Sequence, residues 1–371
     1  MSLRRSYVTP LLVFVSLSLS ACSSNTSDLS ENIDAQLSDN RSSHGIPAQA
    51  LVVMHNQNVL YRNSIGVKDL DSATPVDNQT VFPIYSVSKL FASTLIMTLE
   101  QQGALSLSDP ISKHIDELPA NWGNIRIDQL LNHASGLPEY FSCEQAGCAF
   151  PTSIESAITK LDGVETEFEA GTQLQYNQTN YLLLKLIIER VTGADYRSVV
   201  ESNIFEPLQM ENTWLGLKYV PKHRLATAYL ANSGSKLQIN PVRFPDYAIS
   251  QADAFSTTDD LSRFLSALAQ GKLVSQQQLI KLWQPFKLQD GSLGYFASGW
   301  DYDQTGDWLE LGHDGGGLVR VRILFQEDLS DHYVFVYLTN GNQDGVWTRT
   351  LVDSVQYYVL PDWYSRIATL L

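Results

Sequence analysis

Tyr333 to Leu338 reads Tyr-Val-Phe-Val-Tyr-Leu, apolar on both faces of an extended chain. Such a run belongs in a central strand covered above and below, so the fold must supply a layer on each side. Just before it, Leu318 to Phe325 alternates, with Val319, Val321 and Ile323 opposite Arg320 and Arg322, and reads as a second strand. Trp308 to Leu311 reads as a third. At the other end of the chain, Ala48 to Met54 and Val59 to Val67 are short apolar runs around His55-Asn56-Gln57-Asn58, the pattern of a hairpin.

Between these ends the period is helical. Leu90 to Gln102 is apolar almost all round and stops at Gly103, which supplies a left-handed end. Further helices are expected over Ile127–Asn132, Asn180–Val191 before Gly193, and Tyr196–Phe205. Thr257-Thr258-Asp259-Asp260 resembles a capping box opening Leu261–Gln270, with Gly271 as the stop. Gly345 to Leu360 also looks helical. The order predicts an α+β, three-layer fold: an antiparallel sheet built from both chain ends, flanked by helices, with a mostly helical domain inserted. The expected limits are about 34–100 and 252–371 for the sheet part and about 101–251 for the helical part.

The chain begins with Arg4 and Arg5, then an apolar stretch from Val8 to Ala21, the length of a signal-peptide core and short for a membrane span. Leu19-Ser20-Ala21-Cys22 resembles a bacterial lipoprotein box, which makes Cys22 the lipidated N-terminus and residues 1–21 a removable signal. Residues 22–33, rich in Ser, Asn and Asp, are expected to be a tether. Loss of residues 1–21 takes Arg4 and Arg5 with it, so the formal charge moves from −15 to −17. So acidic a chain is a poor partner for nucleic acid or anionic headgroups, which leaves the lipid on Cys22 as the expected membrane contact. Ser23, in place of Asp, after Cys22 points to the outer membrane, facing the periplasm, if the host follows the enteric sorting rule.

Cys143 and Cys148 close a small loop, and an exported protein meets oxidising conditions, so a disulfide is expected, with two free thiols as the alternative. Neither their spacing nor nearby histidines suggest zinc, and no metal or cofactor is expected. Asp301-Tyr302-Asp303-Gln304-Thr305-Gly306 begins like a calcium loop, but its twelfth position is Gly312 in place of a bidentate Glu. A hairpin turn is the better reading.

Ser86 and Lys89 stand three apart at the head of the Leu90–Gln102 helix, a spacing that puts them on one face. A serine becomes a nucleophile when a neighbouring base takes its proton, and an amine shifted by burial can do so. The pair needs a proton shuttle and donors for an oxyanion. Tyr176-Asn177-Gln178 precedes the Asn180 helix on a turn, and a tyrosine beside an ammonium can titrate below its usual range. His313-Asp314-Gly315-Gly316-Gly317 lies where two strands meet, with glycines that let the backbone approach a ligand.

Phe82-Pro83-Ile84-Tyr85-Ser86-Val87-Ser88-Lys89, Tyr176-Asn177-Gln178-Thr179-Asn180-Tyr181 and Gly312-His313-Asp314-Gly315-Gly316 occur in this order. Together they resemble the serine β-lactamase and penicillin-binding-protein superfamily, on the branch of class C β-lactamases, D-aminopeptidases and esterases. The resemblance covers roughly residues 34–360. It implies that Ser86 forms an acyl-enzyme, that Lys89 assists its deprotonation, and that Tyr176 is the proton shuttle. It also implies an oxyanion hole from the amides of Ser86 and Gly316, with His313, Gly315, Asn177 and Gln178 around the substrate. His133, in Leu-Asn-His-Ala-Ser-Gly, is expected to be structural.

Two departures from the family pattern bear on substrate. The third position of the second motif is Gln178 where Asn is usual, and His313-Asp314-Gly315 replaces Lys-Thr-Gly. A neutral His attracts a substrate carboxylate less than Lys does, and Asp314 would repel it if it faced the cleft; pointing away, it would not. The leading expectation is therefore an envelope-anchored serine hydrolase of small esters or amides. A D,D-carboxypeptidase or β-lactamase acting on peptides or β-lactams is the second, and a catalytically weak binding module the third.

Overall fold

The computed structural model describes residues 21–144, 147–231 and 236–360. Eight strands form one antiparallel sheet: β1 (Ala48–His55), β2 (Asn58–Asp69), β3 (Thr74–Pro75), β4 (Phe296–Ala297), β5 (Trp300–Thr305), β6 (Trp308–Gly315), β7 (Val319–Phe325) and β8 (His332–Thr339). Their order is β4-β5-β6-β7-β8-β1-β2-β3, so the two chain ends meet where β8 pairs with β1. The Tyr333–Leu338 run is indeed central: every residue of β8 is buried.

On the inner face, Val319, Val321, Ile323, Val334, Val336 and Leu338 join a core that continues into the helical part. That core takes in α2 (Lys89–Gln101), α3 (Thr179–Thr192) and α4 (Thr258–Ala269). Helix α2 ends where Gly103 turns left-handed, at φ +71°. Thr257 caps α4 by accepting from the Asp260 amide. The outer face carries α1 (Ala21–His44) and α5 (Thr348–Val359), packed on Leu51, Val53, Phe335 and Tyr337.

Helix α1 corrects the tether expected over residues 22–33. Leu29, Ile33 and Leu37 recur every four residues and so share one face, and Ile33 and Leu37 are fully buried against the sheet. Gln49 Nε2 donates to the Leu37 carbonyl, and Tyr61 donates to Asp34, which docks the helix by polar contacts as well. Each of the two buried side chains contributes roughly 1.5–3 kcal/mol of transfer free energy. The expected signal segment, apart from Ala21, lies outside the described residues, as does the Cys22 side chain.

The inserted part is less uniformly helical than expected. Trp214–Leu215 pairs with Ala254–Ser256, which pairs in turn with Phe82–Pro83. Tyr229–Ala231 and Leu237–Ile239 form a separate ribbon. A third ribbon, Ser142–Glu144 with Gly147–Ala149, is closed by the Cys143–Cys148 disulfide. Asp301–Thr305 is strand β5 itself, and the hairpin turn falls at Gly306.

Candidate active site

The three-stranded sheet fixes the chain just before Ser86: the Ile84 amide donates to the Ala254 carbonyl at 3.0 Å. Tyr85 then takes φ +47°, an uncommon conformation for a side chain of its bulk and one that active-site turns retain at a cost. A 3₁₀ turn over Tyr85–Ser88 leads directly into α2. Ser88 holds that turn. Its hydroxyl donates to the Tyr85 carbonyl at 2.5 Å and accepts from the Ala254 amide at 3.1 Å.

Lys89 is fully buried and its Nζ lies 3.5 Å from Ser86 Oγ. The ammonium donates to Gln178 Oε1 at 2.7 Å and to the Gln251 carbonyl at 2.8 Å, with the rings of Tyr176 and Tyr181 at 5.0 and 5.1 Å. Burial lowers its pKa from 10.5 to about 7, against the opposing pull of Glu139 and Asp301. Near neutral pH a large fraction of Lys89 is therefore an unprotonated amine beside a serine hydroxyl, able to act as its base.

Tyr176 faces the Ser86 hydroxyl, and its ring packs on His133 at 4.3 Å. The expectation that it titrates low is corrected. Tyr176 is 38% exposed, but desolvation of its hydroxyl raises its pKa above the usual 10 despite the favourable contact with Ser86. Lys89 sits over the ring face and is itself partly neutral, so no full positive charge stabilises a phenolate. Tyr176 is a neutral hydroxyl, suited to passing a proton without holding a charge.

The residues after Tyr176 divide by role. Gln178 reaches Lys89, so its extra methylene keeps the amide contact that the family pattern assigns to Asn. Asn177, expected near substrate, is buried with its amide donating to the Leu137 carbonyl and its carbonyl accepting from the Asn180 amide. It shapes the turn. His133 Nδ1 accepts from the Asn177 amide and the Asn180 side chain, and burial holds the ring neutral, as a structural histidine should be.

On β6, the adjacent side chains of His313 and Asp314 project to opposite sides of the strand, and both residues line the cavity that also holds Ser86 and Tyr176. His313 Nδ1 lies 2.6 Å from the Asp314 carbonyl, which can only accept, so Nδ1 carries the proton and Nε2 offers a lone pair. Burial lowers the His313 pKa, so the ring is neutral. Asp314 is held by Arg320 at 2.8 Å, by Arg322 at 2.8 Å and by the Trp347 indole, which removes it as a free anion at the cleft.

Gly315, expected among the substrate contacts, serves packing: a Cβ there would meet the Ile84 carbonyl at 2.3 Å. Its absence lets β6 lie against the segment that carries Ser86. The β6–β7 ladder ends at Gly315–Val319, so the next amide, that of exposed Gly316, lies beyond the paired backbone. Gly316 turns left-handed at φ +56° against the Tyr85 ring. Ser86 and Gly316 line one cavity of about 710 Å³ with Tyr176 and His313, the setting an oxyanion site requires.

Four site residues carried no sequence signal. Gln251 acts through its carbonyl, Ser88 through a hydroxyl that ties the Tyr85 and Ala254 backbones together, Glu139 by accepting from the Gln178 amide, and Tyr181 by its ring under Lys89. The described residues contain no group of three or more His, Cys, Asp or Glu side chains placed to hold a metal ion.

Residues 29–352 match the family model described as Beta-lactamase. Among curated proteins, penicillin-binding protein 4* of Bacillus subtilis (strain 168) is 24% identical over 83% of this chain and 71% of its own. Among solved structures, D-amino acid amidase from Ochrobactrum anthropi SV3, complexed with D-phenylalanine, shares the fold with a TM-score of 0.75 and 23% identity. The match covers 90% of this chain and 99% of that one. EstCE1, a hydrolase with promiscuous acyltransferase activity, gives a TM-score of 0.73 at 18% identity, over 90% and 99% of the two chains.

Proposed function

Because this chain belongs to the beta-lactamase family and is a serine hydrolase, we propose that it cleaves small esters or amides through a Ser86 acyl-enzyme, anchored to the cell envelope by a lipid on Cys22. The observation that carries the reading is the fully buried Lys89 amine 3.5 Å from Ser86 Oγ, where burial lowers its pKa to about 7. Neutral Lys89 takes the hydroxyl proton as Ser86 Oγ attacks the substrate carbonyl carbon. The oxyanion that forms is held by the amides of Ser86 and Gly316. Tyr176 relays a proton to the departing oxygen or nitrogen, and the acyl group stays on Ser86. Water then attacks that ester, its proton passing by way of Tyr176 to neutral Lys89, which returns a proton to Ser86 Oγ as the C–O bond to the acyl group breaks and the acid is released.

A preference against anionic substrates follows from charge. The cavity holds Arg320, Arg322 and Arg349 against Asp301, Asp303, Glu310 and Asp314, three basic side chains to four acidic. His313 adds no positive charge, so a substrate carboxylate finds no uncompensated cation there. The anchored, envelope-facing location rests on the lipoprotein-like Leu19-Ser20-Ala21-Cys22 sequence.

Intact-mass spectrometry after a fluorophosphonate tests the acyl-enzyme: wild type gains one adduct on Ser86, and Ser86→Ala gains none and loses nitrophenyl acetate turnover. Equal rates for the two proteins would sink the reading. The Bacillus relative is named for penicillin binding, so a fluorescent penicillin belongs in the same experiment. Stable labelling of Ser86, without ester turnover, would favour a D,D-peptidase or β-lactamase instead.

A further inference from the structure

A second cavity, of about 320 Å³, opens on the other side of the nucleophile turn. Tyr85 lines it directly before Ser86, and Ala252 lines it directly after Gln251, whose carbonyl holds Lys89. Its walls are largely apolar, with Leu217, Val242, Phe244 and Phe255 among them. This size and lining suit the body of a small organic group.

Tyr85, Thr227, Asn240, Arg243 and Asp253 interrupt the apolar wall, and of these Asp253 and Tyr85 are the least well partnered. Asp253 is 6% exposed, and its carboxyl accepts one long hydrogen bond, 3.3 Å from the Leu217 amide. It makes no ion pair among the described residues. Arg243, which also lines the cavity, and Arg197 attract Asp253 through space without bonding to it: Arg243 donates to the Asn240 and Val242 carbonyls, and Arg197 donates to the Leu215 carbonyl and lies over Tyr219. The Tyr85 hydroxyl is buried, with the Asn240 side chain as its polar neighbour and no hydrogen bond of good geometry.

A buried carboxyl without a counter-ion is costly, and a ligand that brings one removes the cost. We propose that this cavity is the acyl-side subsite of the hydrolase, and that it takes an acyl group with an apolar body bearing an amine, whose ammonium pairs with Asp253. The leaving group then lies in the cavity of Tyr176 and His313, and the acyl chain extends past Tyr85. Burial raises the Asp253 pKa from 3.8 to about 7, so the cavity wall itself supports the carboxylate poorly and an ammonium would stabilise it.

The inference rests on the Ser86 acyl-enzyme, so its test keeps the two apart. Nitrophenyl esters of 6-aminohexanoic and heptanoic acid are compared on wild type and Asp253→Asn, a near-isosteric change. Wild type should favour the amino ester, and the variant should lose at least about tenfold in kcat/KM for it while changing less than about twofold for heptanoate, as expected for one lost charge-assisted hydrogen bond. Binding of 6-aminohexanoate and hexanoate to Ser86→Ala, measured by calorimetry, provides a readout without catalysis. The amine should bind more tightly, and the added Asp253→Asn change should abolish the difference. An unchanged selectivity ratio, or equal binding of the two acids, overturns the subsite even if Ser86 still acylates. Failure of Ser86 to acylate, with amine-selective binding intact, overturns the hydrolase reading alone.

Discussion

Gln178 Oε1 accepts a 2.7 Å hydrogen bond from Lys89 Nζ, and this contact links the second motif to the base of the first. The amide is uncharged, so it orders the amine without strongly favouring its protonated form. Lys89 must be neutral to accept the Ser86 proton, so kcat/KM should rise with pH through about 7, the value to which burial lowers its pKa. His133 and His313 are both held neutral by burial and add no competing limb. Gln178→Glu puts a carboxylate at the same atom and favours the ammonium. Its acid limb should move up by roughly one unit, with about a fivefold loss at pH 7. A pH–rate profile checks this, and an unmoved limb would mean that Lys89 is not the titrating base.

His313 offers a lone pair at Nε2 where a lysine would offer a cation. His313→Lys should therefore shift preference toward anionic acyl donors. The rate of Ser86 labelling by a fluorescent penicillin, relative to that by a neutral ester, should rise by about tenfold, the worth of one hydrogen bond to a charged group. The gain should shrink as salt is added. A ratio insensitive to the substitution would show that the third motif does not select substrate charge.

How much of this was legible depended on how local each feature is. Ser86 and Lys89 could be paired because i and i+3 meet within one turn, whatever the rest of the fold does. The sheet could be assembled from both ends because Tyr333–Leu338 has no polar face to expose. Asn177 and Gln178 could not be separated: which of two adjacent amides reaches Lys89 depends on how the turn sits on Leu137 and His133. Gln251 was invisible because a carbonyl carries no side-chain signature. For α1, Ser, Asn and Asp dominate the composition, and the apolar spacing of Leu29, Ile33 and Leu37 gains meaning only against the sheet.

Asp314 gives a stability prediction with a definite sign. Burial alone would raise its pKa, but Arg322, Arg320 and the Trp347 indole overcome this and lower it from 3.8 to about 2. A carboxylate depressed in the folded state stabilises the protein above its unfolded pKa and loses that contribution as pH falls from about 4 toward 2. Asp314→Asn should cost roughly 3 kcal/mol at pH 7, the low end for uncovering a buried charge, because Arg320 and Arg322 keep Glu310. Denaturant unfolding between pH 2 and pH 7 measures both effects. The variant's stability should fall less steeply over the acid window, and a parallel fall would remove Asp314 as the cause.

Gly315 separates packing from chemistry at the third motif. An added methyl would lie 2.3 Å from the Ile84 carbonyl and 2.4 Å from Val319 Cγ2, so β6 must move away from the Ser86 segment. Gly306, in the turn that opens the same strand, meets nothing within 4 Å and carries only the strain of φ +60°. Both Gly→Ala changes should therefore destabilise by similar amounts, about 1–3 kcal/mol for the first and about 1–2 kcal/mol for the second. Their activities should part. Displacing Gly316 and His313 from Ser86 by even about 1 Å should cost on the order of 100-fold in kcat, and the Gly306 change should leave kcat at the wild-type level. Thermal melts beside steady-state ester hydrolysis distinguish the cases. Equal activity losses at equal stability would show that β6 is not held in register with the nucleophile through Gly315.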